Sequence, residues 1–137
     1  MLYVLLMLTR DSSVLLMQRK NATFGDGLYA LVGGKVEEHE PALDALVRET
    51  KEEIGVTVKK EDLKLVHTFH RKGTEKDLIV LVFTTNTWTG EIVNNEPEKC
   101  SDLAWFDLKA LPENIMSAHR QALELLQKNI YYSEHGW

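Results

Sequence analysis

One cysteine, three prolines and eight glycines in 137 residues leave little material for a disulfide scaffold, a proline-rich spacer or a glycine linker. Cys100 has no internal partner, which fits a reducing cytoplasm. Basic residues are outnumbered too: 16 Lys and Arg against 21 Asp and Glu give a formal charge of -5. That balance argues against a duplex nucleic-acid binder held by a broad basic surface. It leaves room for a small polyanionic ligand, because divalent cations reverse the charge of an acidic pocket. A membrane-spanning run is also missing. The opening MLYVLLML has no basic residue before it and meets Arg10 and Asp11 at once, so it fits neither a transmembrane segment nor a signal peptide. Nothing divides the chain into repeats, low-complexity tracts or linkers, and residues 1–137 read as one domain with no membrane partner.

What is present is a succession of short apolar segments and two helical stretches. YVLLMLTRDSSVLLMQRK reads as a hairpin turning at Asp11, Ser12 and Ser13. The lack of alternation in its first arm predicts a strand covered on both faces. LYALVGG reads as one short strand. DLKLVHTFHR and DLIVLVFTTNTW form two more, the first with Leu63, Leu65, His67 and Phe69 on one parity. TGEIVNNEPEKC reads as a loop and LAWFDL as a brief strand. A last helix starts at Ser117 and runs through AHRQALELLQKNIYY, with Ala118, Ala122, Leu125 and Leu126 as its buried stripe. Several strands and two unequal helices in this order predict an α/β layered domain around a mixed sheet.

The segment GGKVEEHEPALDALVRETKEEIGV, residues 33–56, concentrates carboxylates. On a helix over 42–54, at about 100° per residue, Leu43, Leu46, Val47, Thr50 and Ile54 share the packing face. Pro41 suits the first turn. Glu49 and Glu53 stack four apart beside that face, and Glu52 lies three from Glu49. Like charges at this spacing lower helix stability by a few tenths of a kcal/mol per pair, and Lys51 points to the far side. Two readings follow. The glutamates are either a solvated helix face or oxygen ligands for a hard cation such as Mg²⁺.

The flanks weigh on that choice. From Gly34 the chain reads Gly, five residues, Glu40, seven residues, then Arg48-Glu49-Thr50-Lys51-Glu52-Glu53-Ile54-Gly55-Val56. This resembles the Nudix box, the signature of the Nudix hydrolase family. It matches at Gly34, Glu40, Arg48, Glu49, Glu52, Glu53 and Gly55. With each residue type at roughly 4–10% usage, chance coincidence is on the order of one in a million. Thr50 stands where the family prefers an aliphatic residue, and Val32 where many members carry proline.

The resemblance implies a Nudix-type α/β/α sandwich with a mixed β-sheet between helices. It implies Mg²⁺-dependent hydrolysis, with Mn²⁺ as a substitute, of a nucleoside diphosphate linked to a group X. The simplest such substrate is a nucleoside triphosphate, cleaved to the monophosphate and pyrophosphate. Nucleotide sugars or dinucleotides are the alternative substrates, and a non-catalytic nucleotide-binding module is the alternative role. Glu49, Glu52 and Glu53 would act on the metal with a backbone carbonyl of Gly33 or Gly34. Arg48 would orient a carboxylate, and Glu40 would hold the loop to the helix. Gly55 belongs to the same frame. The general base is expected among the glutamates, Glu49 first, within a coupled set.

Outside the box, Arg19 and Lys35 are candidate phosphate contacts. Glu96, before Pro97, is a candidate further metal ligand. Phe24, Tyr29 and Trp88 offer faces on which a base could stack, and Asn95 an amide for its edge. Each has a plainer reading as packing or loop polarity. His67 and His70 are expected to be structural or solvent-facing. The aromatic terminal YYSEHGW either folds back on the domain or serves a dimer, so both monomer and homodimer stay open.

Overall fold

The computed structural model describes residues 1–137. Its elements are β1 (Leu2–Arg10), β2 (Ser13–Arg19), β3 (Tyr29–Ala30), β4 (Val32–Lys35), α1 (Ala42–Ile54), β5 (Lys64–Arg71), β6 (Leu78–Thr85), β7 (Cys100–Asp107), α2 (Ser117–Gln127) and β8 (Tyr132–His135). The hydrogen-bonded strand order is β3-β2-β1-β6-β5-β8, with β4 also paired to β1 and β7 to β2. β1–β6 and β5–β8 are parallel and the other pairs antiparallel, so the sheet is mixed. β1 changes partner along its length. Tyr3–Leu6 pair with β4, whereas Thr9 and Arg10 pair with β2.

The unbroken apolar run of β1 exists because both of its faces are covered. Val4, Leu6 and Leu8 pack in one core with Ala45, Leu46 and Ile54 of α1. Leu5 and Met7 pack in a second core with Ala118, Ala122 and Leu123 of α2. β2 divides the same way, Leu15 and Met17 to the first core, Val14 and Leu16 to the second. The sheet therefore lies between two helices, the expected α/β/α arrangement. Neither helix is long and apolar enough to cross a membrane.

Helix α1 occupies the span its periodicity predicts. Pro41 precedes the first turn as an extended cap rather than sitting within it, and Gly55 closes the helix in the left-handed region, φ 75°. Thr50 is fully buried, and its hydroxyl donates to the Leu46 carbonyl at 2.7 Å, which is how a polar residue fits an aliphatic position.

Four expectations change. LYALVGG is two strands, not one: Ala30 pairs with Met17 of β2, Val32 with Leu6 of β1, and Leu31 bridges the switch. In β5 the register slips between Leu65 and His67, so the bulge turns Leu65 outward while His67 and Phe69 stay buried. β7 begins at Cys100, earlier than LAWFDL implied. Helix α2 stops at Gln127, before the terminal tyrosines, and its buried residues are Ala118, His119, Ala122 and Leu123. Asn129, at φ 60°, turns the chain so that Tyr132–His135 can add to the sheet beside β5.

His67 fastens that last strand. Its Nδ1 lies 2.9 Å from the Ile130 carbonyl, which can only accept, so the proton sits on Nδ1. Nε2 then accepts from the Ser133 hydroxyl at 2.9 Å. Burial pushes the imidazole below its ordinary value, keeping it neutral. His67→Leu leaves two polar partners unpaired and is expected to cost about 1–3 kcal/mol. In hydrogen exchange, residues 130–135 should open before the rest; uniform exchange across the chain would refute this anchoring.

Candidate active site

The junction of β4 and α1 is built by two glycines that leave no room for side chains. Gly33 lies opposite Leu5 of β1, and a Cβ there would strike the Val4 carbonyl. Its N–H donates to Glu53 Oε1 at 2.7 Å. A Cβ on Gly34 would overlap the carboxylate of Glu49. The strand thus comes close enough to α1 for its backbone to touch both glutamates.

Arg48 organises the outer side. Its Nε and Nη2 grip both oxygens of Glu40 at 2.8 and 2.9 Å, a bidentate pair. Nη1 donates to Glu49 at 3.0 Å and more loosely to Glu52 at 3.4 Å, while Nη2 also reaches the Lys35 carbonyl at 3.3 Å. The Glu37 N–H donates to the same Glu40 carboxylate at 3.1 Å. Glu40 is accordingly held down to about 2, first by Arg48 and then by that N–H.

The carboxylates of the inner side behave oppositely. Glu53 is pushed up to about 8, chiefly by burial and then by the charges of Glu49 and Glu96, against the pull of the Gly33 N–H. Glu49 is raised by burial and by Glu52 and Glu96, with Arg48 opposing. Glu96, on the loop before β7, therefore shares the field of the α1 glutamates, and its own side chain meets Lys99 at 3.5 Å. With Arg48 holding Glu49 and Glu52, no three acidic or imidazole groups close into a cage around an ion in this conformation. The chemistry of the donor set still fits a hard cation. It consists of oxygens only, their ionisation opposed by burial and mutual repulsion, beside glycines that admit a close approach to backbone.

A cleft of about 610 Å³ opens from this cluster, large enough for a nucleotide. Glu53, Gly33 and Gly34 line one part, Arg19, Phe24 and Arg71 another, and Leu5, Leu31, Phe69 and His119 its walls. Arg19 Nε donates to the Phe24 carbonyl at 3.1 Å, and Arg71 lies over the Phe24 ring at 4.2 Å. Neither guanidinium pairs with a carboxylate.

The other sequence candidates stand elsewhere. Lys35 is exposed and does not line the cleft. The Tyr29 hydroxyl donates to Asp102 at 2.5 Å, and its ring packs edge-on against Phe106. Trp88 faces Trp105 at 6.0 Å in a separate hollow that also holds Arg10. The Asn95 amide donates to the Glu52 carbonyl at 3.1 Å, and its N–H to the Glu53 carbonyl, so it caps α1. Arg71 and His119 were not singled out from sequence. Arg71 ends a strand, a position that carries no signal of its own. His119 sits among the apolar positions of α2, where only its polarity could have drawn notice.

The NUDIX domain family model matches residues 2–126. An ADP-ribose pyrophosphatase of Methanocaldococcus jannaschii is 36% identical over 76% of this chain and 60% of its own length. An NAD-capped RNA hydrolase NudC of Chromobacterium violaceum is 33% identical over 79% of this chain and 38% of its own. The chain thus spans less than two-thirds of the length of each of these relatives. The crystal structure of a MutT NUDIX hydrolase from Burkholderia pseudomallei superposes with a TM-score of 0.83 at 30% identity, covering 90% of this chain and 95% of that one.

Two outcomes follow. Between about 4.5 and about 8 the folded chain keeps a proton on Glu53 that the unfolded chain has lost. The metal-free protein should therefore lose stability as pH rises through that window, and Glu53→Gln should flatten the slope in urea titrations with chelator present. Gly34→Ala should displace the Glu49 carboxylate and weaken Mn²⁺ binding about tenfold or more while the fold's circular dichroism persists. Unchanged Mn²⁺ affinity would refute the cradle.

Proposed function

The chain belongs to the Nudix family, and from that premise we propose that it is a divalent-metal-dependent hydrolase of a nucleoside diphosphate linked to a further group. The simplest substrate is a nucleoside triphosphate, released as monophosphate and pyrophosphate. One observation carries this reading. A cluster of burdened carboxylates, Glu49 and Glu53, adjoins a cleft that also holds two guanidiniums free of carboxylate partners.

Mg²⁺, or Mn²⁺ in its place, would be held by Glu49, Glu52 and Glu53 with Glu96 and the Gly34 carbonyl. When bound it would neutralise phosphate charge and acidify a water molecule. The chain's own contributions can be stated separately. Arg48, locked by Glu40, keeps one edge turned to Glu49 and Glu52 and so orients them. Glu53, with one oxygen fixed by the Gly33 N–H, would release its proton to take up the cation. Arg19 supplies donors to a phosphate oxygen, and the apolar cleft walls exclude water from the bound nucleotide. Glu49 is the favoured general base within a coupled set. The buried thiol Cys100 agrees with a cytoplasmic setting.

A second substrate class has its own support. The relatives named as an ADP-ribose pyrophosphatase and an NAD-capped RNA hydrolase point to diphosphates bridging two organic groups. The cleavable link and the residues around it are the same in both readings.

The test is a phosphate-release screen with Mg²⁺ over triphosphates, nucleotide sugars and dinucleotides. Glu49→Gln and Glu52→Gln should each lower turnover about 100-fold or more with little change in folding. A chain that binds nucleotides and cuts none is a binding module, and variants that cleave as fast as the parent would refute the site.

A further inference from the structure

His119 is 8% exposed, yet it lines the cleft. Its Nδ1 receives the backbone N–H of Leu31 at 3.1 Å. A backbone N–H can only donate, so Nδ1 carries no proton and the neutral ring must carry its proton on Nε2. Burial, reinforced by the positive charges of Arg19 and Arg71, pushes the imidazole down to about 3 and keeps it neutral at any physiological pH. Nε2 has no protein partner, whereas every fully buried side-chain nitrogen or oxygen has one. Nε2 therefore reaches open space, and the open space beside His119 is the cleft.

The result is a donor of fixed sense, uncharged and nine-tenths buried, whose orientation is set by the Leu31 N–H. Arg71 lines the same cleft, restrained by the Phe24 ring rather than by a carboxylate. A ligand face opposite two such groups must offer acceptors. The O6 and N7 atoms of a 6-oxopurine do so, while adenine sets an amino donor at position 6.

We propose that His119 is a specificity-determining residue that donates from Nε2 to an acceptor on the nucleobase, so that the cleft selects a 6-oxopurine over a 6-aminopurine. This rests on the reading that a nucleotide occupies the cleft, but not on its being hydrolysed. The selection comes from an unpaired donor facing a donor in a buried site, a mismatch that commonly discriminates tenfold or more.

Binding of IMP and AMP to the full chain, measured by calorimetry with Mg²⁺, isolates the 6-position. IMP should bind at least about tenfold more tightly. His119→Asn keeps an acceptor at the δ position for Leu31 and draws the donor back from the ε position to the shorter amide, so the preference should fall several-fold. In the parent, ¹⁵N spectra should show a neutral, Nε2-protonated ring from pH 5 to 8 whose N–H signal moves with IMP and not with AMP. Equal affinities, no binding of either nucleotide, a preference that His119→Asn leaves undiminished, or an Nδ1-protonated ring would overturn the assignment. A chain with the IMP preference that hydrolyses no phosphoanhydride would refute the proposed function and leave the role of His119 standing.

Discussion

The close approach of β4 to α1 is the constraint on which the rest of the site depends. Glu53 reaches the Gly33 N–H, and Glu49 packs where a Gly34 side chain would be, only because neither position carries a Cβ. That approach draws two carboxylates out of water and toward each other, at a cost in ionisation that appears as their raised proton affinity. Arg48 does not discharge the cluster. Its strongest contacts go to Glu40, and it meets Glu49 and Glu52 with what remains. An acidic site left in electrostatic deficit is stabilised by a cation in a way that a fully paired one is not, which separates this helix from an ordinary solvated glutamate face.

The two helices divide the labour. α1 closes one core and carries the charges; α2 closes the other and brings His119 to the cleft. Because β1 contributes alternate residues to both cores, the charged cluster and the cleft wall are fixed to one strand. Its early residues are pinned between β4 and β6, so relative motion of the two parts would require breaking paired backbone. Precision of that kind suits a site in which charge must be placed with respect to a bound group.

Much of this was legible in the chain. The apolar periodicity of α1, the glycines bounding it and the spacing of its glutamates are local features, and each emerged where expected. An apolar strand without alternation pointed to cover on both faces, and the resemblance to the Nudix box implied the α/β/α layering. What stayed hidden depends on partners distant in sequence. The bulge at Val66 inverts the face of Leu65, and nothing in KLVHTF marks it. Tyr29, Trp88 and Asn95 have side chains suited to a nucleobase, yet Asp102, Trp105 and the end of α1 respectively engage them. Residue type told what each could bind; only the fold told what each had already bound.

His119 shows the same limit from the other side. In sequence it is one polar residue within the apolar repeat of α2, and a satisfied core histidine is the ordinary reading of such a position. Its partner, Leu31, is 88 residues away and matters through its backbone N–H rather than its side chain. That N–H is free because alternate residues of this stretch turn their N–H groups away from β1 and β2, as Tyr29 does toward Asn114 and Gly33 toward Glu53. The donor sense of His119 is therefore a consequence of strand register. A slip of one residue in that register would turn the Leu31 N–H into the ladder, leaving the imidazole free to present either nitrogen and removing the asymmetry on which discrimination depends.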